Sequence, residues 1–334
     1  MLHVTYVERI ELLDVVHLSK YFIIRRGLLQ YLRREKPNYL RAVDDVSFRI
    51  DKGEIVGLVG ESGSGKTTLA RLILRLLEPT SGNIFFEGQD ILSLNNSGLK
   101  EIRKKMQIVF QDPYGALNPR LTVRDALEEP LKIHGLYDPK ERVDVIKKML
   151  KSVGLNPPDV FLDKYPHELS GGQKQRVVIS RALILNPSFI VMDEPVSLLD
   201  ATVRTQILNL ILKLKEEFNL TYLFITHDLA LARYICNRIL VMYRGKIVEA
   251  GEAEQLISEP LHPYTKMLIA AVPVPNPSIK ISLPPKTGEL TEAFTYQGCR
   301  FCSRCPEAEQ RCRTEEPPLT ELGDERSVAC WKHI

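Results

Sequence analysis

The stretch EIVGLVGESGSGKTTLARLILRLL (54–77) decides the fold of this chain. Its first part, EIVGLVG (54–60), is a short apolar run of the kind that forms a buried strand of a parallel sheet. The second part, GESGSGKTT (60–68), fits the phosphate-loop pattern G-x-x-x-x-G-K-[ST]. The residues after it predict a helix that begins at Lys66 and runs to Pro79. A strand, a glycine-rich turn and a helix in this order predict a phosphate-binding loop.

The residue types of the loop match the chemistry of a nucleotide phosphate. Gly60, Gly63 and Gly65 allow a tight turn that aims backbone N–H groups at phosphate oxygens, at the positive end of the following helix. Lys66 is expected to reach the β- and γ-phosphates, and the Thr67 hydroxyl to bind Mg²⁺. A glycine-rich turn that merely precedes a Lys-Thr pair is the alternative, but the flanking strand and helix argue against it. The other loop residues expected to contact the nucleotide are Ser62, Ser64 and Thr68.

A second apolar run, FIVMDEP (189–195), ends in two carboxylates. Ligands of α/β sheets bind at the carboxyl ends of the strands, where these side chains are expected to lie. We predict that Asp193 holds the metal through water and that Glu194 is the general base that polarises the attacking water. Many strands end in acidic residues, so this motif gains its meaning from the loop at 60–68.

The rest of the chain alternates between the two kinds of element. VDDVSFRI (43–50) has the alternation of a strand, 113–168 reads as several short helices, and strands alternate with helices from 173 to 251. This order predicts an α/β fold with a parallel core sheet. Beyond residue 259 the prolines predict a linker.

Composition limits the kinds of protein that this chain can be. A net charge of +3 does not argue for nucleic acid as a partner, and 44% hydrophobic with 26% charged residues is usual for a globular protein. No apolar run approaches the roughly 18 residues of a membrane-spanning helix, and the first residues lack a signal peptide's apolar core. We therefore expect a cytoplasmic protein. The basic stretch 20–41 is interpreted as a solvated hairpin, with a functional basic patch as the alternative.

Further motifs resemble those of the ABC ATPase family, and the resemblance covers about residues 10 to 260. LSGGQ (169–173) matches the family's signature motif. It implies that the backbone of Ser170, Gly171 and Gly172, with Gln173, caps the γ-phosphate of an ATP held by the opposite subunit. An N-cap serine before a flexible turn would be the interpretation of this motif if it stood alone.

Other positions correspond to family motifs one at a time. Gln111 resembles the Q-loop glutamine that contacts Mg²⁺, and His227 resembles the switch histidine at the γ-phosphate, which we class with Glu194 as catalytic. Asp200 closes a segment like the D-loop, although Leu198 stands where the family more often has Ala. Phe22 matches best the aromatic residue that stacks on adenine; Tyr21 is the second choice, and a core aromatic is an alternative for either.

The resemblance implies a P-loop NTPase fold: a RecA-like parallel core sheet, an antiparallel β subdomain and a helical subdomain. It places the ATPase domain at 1–259, with the helical subdomain at about 112–172, and leaves 260–334 as linker and cysteine-rich extension. Because the signature acts on a neighbour's nucleotide, the working unit is a head-to-tail pair of cassettes with two ATPs between them.

Three segments narrow the resemblance to ATPase subunits of oligopeptide and dipeptide importers. They are QDPYGALNPRLTV (111–123), EPLHPYTKMLIAAVP (259–273) and the cysteine-rich end (298–331). The resemblance implies two membrane permease subunits, a second ATPase subunit, indirectly an extracytoplasmic binding protein, and a peripheral position on the cytoplasmic membrane face. Nickel or sugar cargo, an exporter, and a soluble ABC ATPase acting on ribosomes or DNA are the alternatives.

Five of the six cysteines crowd into the end of the chain, and such a cluster in a reducing compartment indicates metal binding before disulfides. The spacing around Cys302 looks like a ferredoxin run, yet spacing alone does not separate zinc from an iron–sulfur cluster. The family resemblance implies a [4Fe–4S] cluster, with zinc as the alternative and Cys302 as bystander or alternate ligand. Cys236 is predicted to be a small buried hydrophobe. The implied cluster ligands are Cys299, Cys305, Cys312 and Cys330.

Overall fold

The apolar runs of the sequence become buried strands in the computed structural model, which describes residues 10–24, 38–271, 297–323 and 325–334. These residues form two compact units. One, the helical unit, comprises 10–12, 50–55 and 93–225. The other, the strand-rich unit, comprises the remaining described residues. The predictions for the tip of the basic stretch (25–37) and for most of the proline-rich linker (272–296) lie outside the described residues.

The strands are numbered in chain order. They are β1 (Glu11–Ile23), β2 (Tyr39–Asp51), β3 (Ile55–Val59), β4 (Ser81–Phe86), β5 (Gln89–Asp90), β6 (Met106–Val109), β7 (Phe189–Asp193), β8 (Thr221–Thr226), β9 (Arg238–Tyr243), β10 (Lys246–Glu252), β11 (Thr320–Glu321) and β12 (Ser327–Val328).

The α-helices are numbered in the same way, and none within the described ranges is long and apolar enough to cross a bilayer. They are α1 (Lys66–Ile73), α2 (Asn96–Lys105), α3 (Pro113–Ala116), α4 (Val123–Ile133), α5 (Pro139–Ser152), α6 (Asp159–Leu162), α7 (Gly171–Leu183), α8 (Ala201–Phe218), α9 (Leu229–Ile235), α10 (Ala253–Ser258), α11 (Pro263–Ala270) and α12 (Gln310–Thr314). Short 3₁₀ helices lie at Pro166–Glu168, Cys302–Arg304 and Trp331–His333.

The helical unit contains the parallel strands β6, β7 and β8. Phe189 of β7 lies opposite Met106 on one side and Thr221 on the other. Every residue of β7 and β8 is buried, as expected of continuous apolar runs in a parallel strand covered on both faces. The carboxyl end of β7 is thereby fixed, and with it the position of the acidic residues that follow.

Side-chain caps define where the helices of this unit begin. Thr122 and Asp125 form a capping box at the start of α4, and Asp138 and Glu141 form another at the start of α5. Each box satisfies backbone N–H groups that the first turn cannot pair internally. The prediction of several short helices over 113–168 is confirmed.

The strand-rich unit contains an antiparallel sheet in the order β2-β1-β4-β5 and a second group of strands around β9. β3 runs parallel to β9, with Val56 opposite Arg238 and Val59 opposite Val241. β9 pairs with β10, β10 with β12 and β12 with β11, all antiparallel. All five residues of β3 are buried, so the strand that leads into the phosphate loop is firmly held.

Helix α1 begins at Lys66 as predicted but ends at Ile73, so the prediction of a helix to Pro79 is wrong in length. Arg75 adopts a left-handed backbone with φ of 46°, which a continuing helix cannot contain. Its guanidinium donates to the Ile91 carbonyl oxygen at 2.9 Å and pairs with Glu78 at 3.0 Å. These side-chain contacts stabilise the turn that ends the helix.

The C-terminal segment (297–323 and 325–334) packs into the strand-rich unit. Val328 lies opposite Glu249 of β10, and the Ala329 N–H donates to the Val248 carbonyl oxygen at 2.9 Å. The buried side chain of Arg300 forms an ion pair with Asp44. The segment therefore shares a core with the rest of its unit.

Candidate functional site

The phosphate loop joins the buried strand β3 to helix α1 within the strand-rich unit. Gly63 and Gly65 have φ of 79° and 110°, a left-handed conformation that side chains disfavour. A Cβ on Gly60 would lie 2.2 Å from the Met242 carbonyl oxygen, and one on Gly65 would lie 2.2 Å from that of Ala42. Backbone packing therefore requires glycine at positions 60 and 65, beyond what turning the chain demands.

The side chain of Lys66 is buried within the loop that precedes it. Its ammonium donates to the carbonyl oxygens of Gly60 at 2.7 Å and Glu61 at 2.9 Å. Gly65, the N-cap of α1, supplies no side-chain oxygen to the first turn, so this helix start has the form of an anion site. Ser64 is buried, whereas Ser62 and Thr67 are exposed and Thr68 is half-buried.

The acid pair lies in the helical unit, directly at the end of β7. Asp193 is buried, and Glu194 takes a left-handed backbone with φ of 47°. The Gln111 Nε2 donates to a Glu194 carboxylate oxygen at 3.2 Å. Two predicted site residues that are 83 positions apart therefore meet. Backbone strain of this kind, held by the surrounding fold, clusters at functional sites.

The signature motif starts helix α7 in the same unit. Ser170 is its N-cap and forms a capping box with Gln173, so the N-cap part of the local interpretation is correct. Ser170 is exposed, while Gly171 and Gly172 are half-buried. A Cβ on Gly172 would lie 2.7 Å from Cγ1 of Val203 in α8, whose N-cap is Asp200. The signature glycine Gly172 thus packs against the first turn of α8, the helix that the predicted D-loop residue Asp200 caps.

His227 and the aromatic candidates lie in the strand-rich unit. His227 follows the end of β8 and is exposed. Phe22 is 37% exposed, and the Lys20 ammonium lies 5.4 Å from the centre of its ring. The Tyr21 hydroxyl instead donates to Asp44, and burial, together with this hydrogen bond, raises its pKa. The ring of Phe22 is therefore the more accessible to a stacking base.

Five cysteines line one cavity of the strand-rich unit: Cys299, Cys302, Cys305, Cys312 and Cys330. Burial raises the pKa of the Cys299 thiol to about 12 and also raises the pKa of the thiols of Cys302, Cys305 and Cys330. These sulfurs have the donor chemistry of a thiolate-bound metal. Within the described ranges, however, no three or more His, Cys, Asp or Glu side chains are grouped as ligands of one ion.

The remaining cysteine, Cys236, is buried as predicted. A Cβ on Gly57 of β3 would lie 2.8 Å from its sulfur, so the thiol fills the space that this glycine leaves. It therefore packs as a small hydrophobe.

Sequence reasoning missed two residues that touch the phosphate loop. The Arg304 guanidinium forms an ion pair with the Glu61 carboxylate at 2.8 Å, and the Tyr264 hydroxyl accepts the Glu61 N–H at 2.8 Å. Neither residue belongs to a nucleotide-binding motif. The position of Arg304 among closely spaced cysteines was the one available signal that its surroundings are constrained.

Comparison with known proteins agrees with this arrangement. The family model described as ABC transporter matches residues 43–197, and the model described as oligopeptide/dipeptide transporter, C-terminal region, matches residues 248–312. The first range contains the phosphate loop, the signature and the acid pair. The second contains most of the cysteine cluster.

Curated relatives match over nearly the whole chain. The oligopeptide transport ATP-binding protein AppF of Bacillus subtilis is 46% identical over 96% of this chain and 96% of its own length. The dipeptide transport ATP-binding protein DppF of Haemophilus influenzae is 43% identical over 98% of each.

Among solved structures, the ATP-binding cassette MJ0796, described as a dimeric post-hydrolysis state bound to ADP and Pi, matches with a TM-score of 0.62. It is 32% identical to this chain, covering 72% of it and 98% of the cassette. The predicted P-loop fold is thereby confirmed. The chain therefore belongs to the ABC transporter family, as an ATP-hydrolysing subunit of its oligopeptide/dipeptide transport group.

Proposed function

We propose that this chain hydrolyses ATP to drive uptake of oligopeptides or dipeptides through two partner permease subunits. The match of residues 248–312 to the oligopeptide/dipeptide C-terminal region carries the proposal, since this region is separate from the ATPase motifs. The peptide-transport names of AppF and DppF favour peptides over nickel or sugar as cargo.

We assign the chemistry of hydrolysis by resemblance to the family. Lys66 neutralises the β- and γ-phosphates, Thr67 and Gln111 hold Mg²⁺, and Glu194 orients and deprotonates the attacking water. The metal supplies charge neutralisation of the phosphate oxygens. The hydrogen bond from Gln111 to Glu194 supports these roles, because it orients the carboxylate of the base. His227 is assigned with Glu194 as catalytic, at the γ-phosphate, and further nucleotide contacts are assigned to Phe22, Asp193, Asp200 and the remaining loop residues.

The active form is proposed to be a head-to-tail pair with a second ATPase subunit, either a paralogue or another copy. The exposed Ser170 at the start of α7 supports this, because a helix N-terminus that faces outward can receive an anion from a neighbour. The pair would sit at the cytoplasmic membrane face, held by the permeases, with a binding protein delivering peptide from outside. We divide the chain into an ATPase domain (1–259) and a C-terminal region (260–334).

Purification from membranes tests the transport assignment. The tagged chain, extracted in mild detergent, is expected to retain two polytopic proteins, and vesicles containing the complex should accumulate labelled peptide only with ATP. The same complex carrying Glu194→Gln is the matched control, since it should assemble without transporting. Isolation of the chain with ribosomes, and without polytopic partners, would contradict the proposal.

We further propose that the thiols of Cys299, Cys305, Cys312 and Cys330 hold a [4Fe–4S] cluster, with zinc as the rival metal. Their shared cavity and sulfur chemistry support this. Because burial favours the protonated thiols of Cys299, Cys305 and Cys330, a bound cation must displace those protons, so metal binding and ordering of the segment are coupled. The metal would then stabilise the C-terminal segment, which has few buried apolar residues of its own.

Absorbance and metal content test the cluster. Protein purified without oxygen should be brown, with absorbance near about 400 nm as for thiolate-bound clusters, and should contain iron. Cys312→Ser is expected to bleach it, whereas Cys302→Ser keeps the colour. The opposite pattern would show that the ligand set is wrong. Colourless protein that contains zinc would show that the bound metal is zinc and not a [4Fe–4S] cluster.

A further inference from the structure

Glu61, the second residue of the phosphate loop, is held from the C-terminal part of the chain. Arg304 grips its carboxylate with two parallel hydrogen bonds, Nη1 to Oε2 at 2.8 Å and Nη2 to Oε1 at 2.9 Å. The Glu61 N–H donates to the Tyr264 hydroxyl at 2.8 Å. A bidentate guanidinium–carboxylate pair fixes orientation as well as distance. Both the side chain and the backbone of this loop residue are therefore constrained.

The other face of Glu61 meets the loop lysine. The Lys66 ammonium donates to the Glu61 carbonyl oxygen at 2.9 Å, and its second acceptor is the carbonyl oxygen of Gly60. A displacement of Glu61 therefore moves its carbonyl oxygen, which accepts a hydrogen bond from the Lys66 ammonium. Glu61 therefore links Arg304, which lies outside the nucleotide motifs, to the Lys66 ammonium, which is assigned to bind the phosphates.

Arg304 is itself firmly held. It ends the 3₁₀ turn Cys302–Arg304, and its guanidinium lies 5.7 Å from the ring centre of Phe301 and 5.8 Å from that of Tyr243. Its side chain is 16% exposed, compared with 40% for Glu61. A guanidinium already fixed by packing loses little freedom when it pairs.

Tyr264 belongs to the same packed cluster. Its fully buried ring lies 4.5 Å from the centre of Tyr243 and 5.5 Å from that of Phe301. The Tyr264 hydroxyl, which accepts the Glu61 N–H, is therefore held in place by the packing of its ring. Two independent contacts to one loop residue distinguish this arrangement from an isolated surface ion pair, which typically contributes about 0–1 kcal/mol.

We propose that Arg304 is a positioning residue for ATP binding: through Glu61 it fixes the phosphate loop around Lys66. The C-terminal segment thus contributes to ATP affinity without touching the nucleotide. The proposal rests on the assignment of residues 60–68 as the ATP phosphate site. It predicts that changes at Arg304 raise the KM for ATP by a larger factor than they lower kcat, because the Lys66 ammonium and the Glu194 carboxylate both remain present.

Calorimetric titration of the full chain with AMP-PNP and Mg²⁺ tests this. Arg304→Ala and Glu61→Gln are each expected to weaken binding about three- to tenfold, in the range of a coupled contact, and the double variant no further than either single one. Arg304→Lys should restore part of the affinity. Arg313→Ala, an exposed arginine beside Cys312, is the matched control and should bind normally. In the assembled complex, the KM for ATP should rise by a larger factor than kcat falls.

Unchanged affinity in Glu61→Gln, or losses that multiply in the double variant, would overturn the positioning role. Glu61→Gln keeps the C-terminal segment intact, so this arm decides the question even where Arg304→Ala does not fold. Lys66→Met separates the two proposals. Normal AMP-PNP binding by Lys66→Met would refute the loop as the phosphate site, whereas loss of binding there with normal Arg304 variants would refute the positioning role alone.

Discussion

Replacing Glu194 by Gln is expected to lower ATP hydrolysis by the assembled transporter about 10²- to 10⁴-fold, the range for loss of a general base. Gln cannot accept the proton of the attacking water. It keeps the size of the side chain and an oxygen that can accept the hydrogen bond now made by Gln111 Nε2 at 3.2 Å. The fold and ATP binding should therefore survive, and the chain should remain paired with its partner ATPase subunit as long as ATP is present.

Two measurements check this expectation. Phosphate release by the complex reports hydrolysis, and size-exclusion chromatography with and without Mg²⁺–ATP reports the closed pair. Glu216→Gln, an exposed residue of α8 in the same unit, is the control for loss of one carboxylate. Wild-type hydrolysis by Glu194→Gln would remove this residue from the base role.

Lys66→Met is expected to weaken ATP binding about 10- to 100-fold, because a hydrogen bond to a charged group contributes roughly 1.5–3 kcal/mol. Hydrolysis should fall further, since the lysine also neutralises charge on the phosphoryl group as it is transferred. Met has a similar length and suits a buried position, so the substitution removes the ammonium while leaving the space filled. It also removes the hydrogen bonds to the carbonyl oxygens of Gly60 and Glu61.

Equilibrium binding of ATP and the melting temperature should be measured together. The expected result is a large loss of affinity with a small change in melting temperature. Lys213→Ala, an exposed lysine of α8, controls for net charge. A Lys66→Met protein that binds and hydrolyses ATP normally would contradict the assignment of the loop.

The parts of the fold that the sequence predicts well are those with a local physical signal. β3, β7 and β8 are continuous apolar runs, and each is a buried strand. The start of α1 follows from the glycine-rich turn before it. Its end does not, because the left-handed backbone at Arg75 is accompanied by side-chain contacts with Glu78 and Ile91, and arginine has no preference for that conformation.

The candidate site divides in the same way. The loop, the acid pair and the signature carry patterns over a few residues, whereas the pairing of Arg304 with Glu61 joins residues 243 positions apart. No local sequence pattern identifies which distant residue a charged side chain will pair with in the folded protein. Likewise, the left-handed backbone of Glu194 could not be read from its residue type, because the surrounding fold imposes it.

The pairing of β12 with β10 also has a consequence for aggregation. β10 already uses one side for β9, and its other side is covered by the short strand at Ser327–Val328. An unpaired edge strand is a template for pairing with other chains unless something blocks it, and most residues of β10 are buried. The C-terminal segment thus covers the edge of β10. A protein shortened before residue 297 would expose that edge and be prone to aggregate, whatever its capacity to bind ATP.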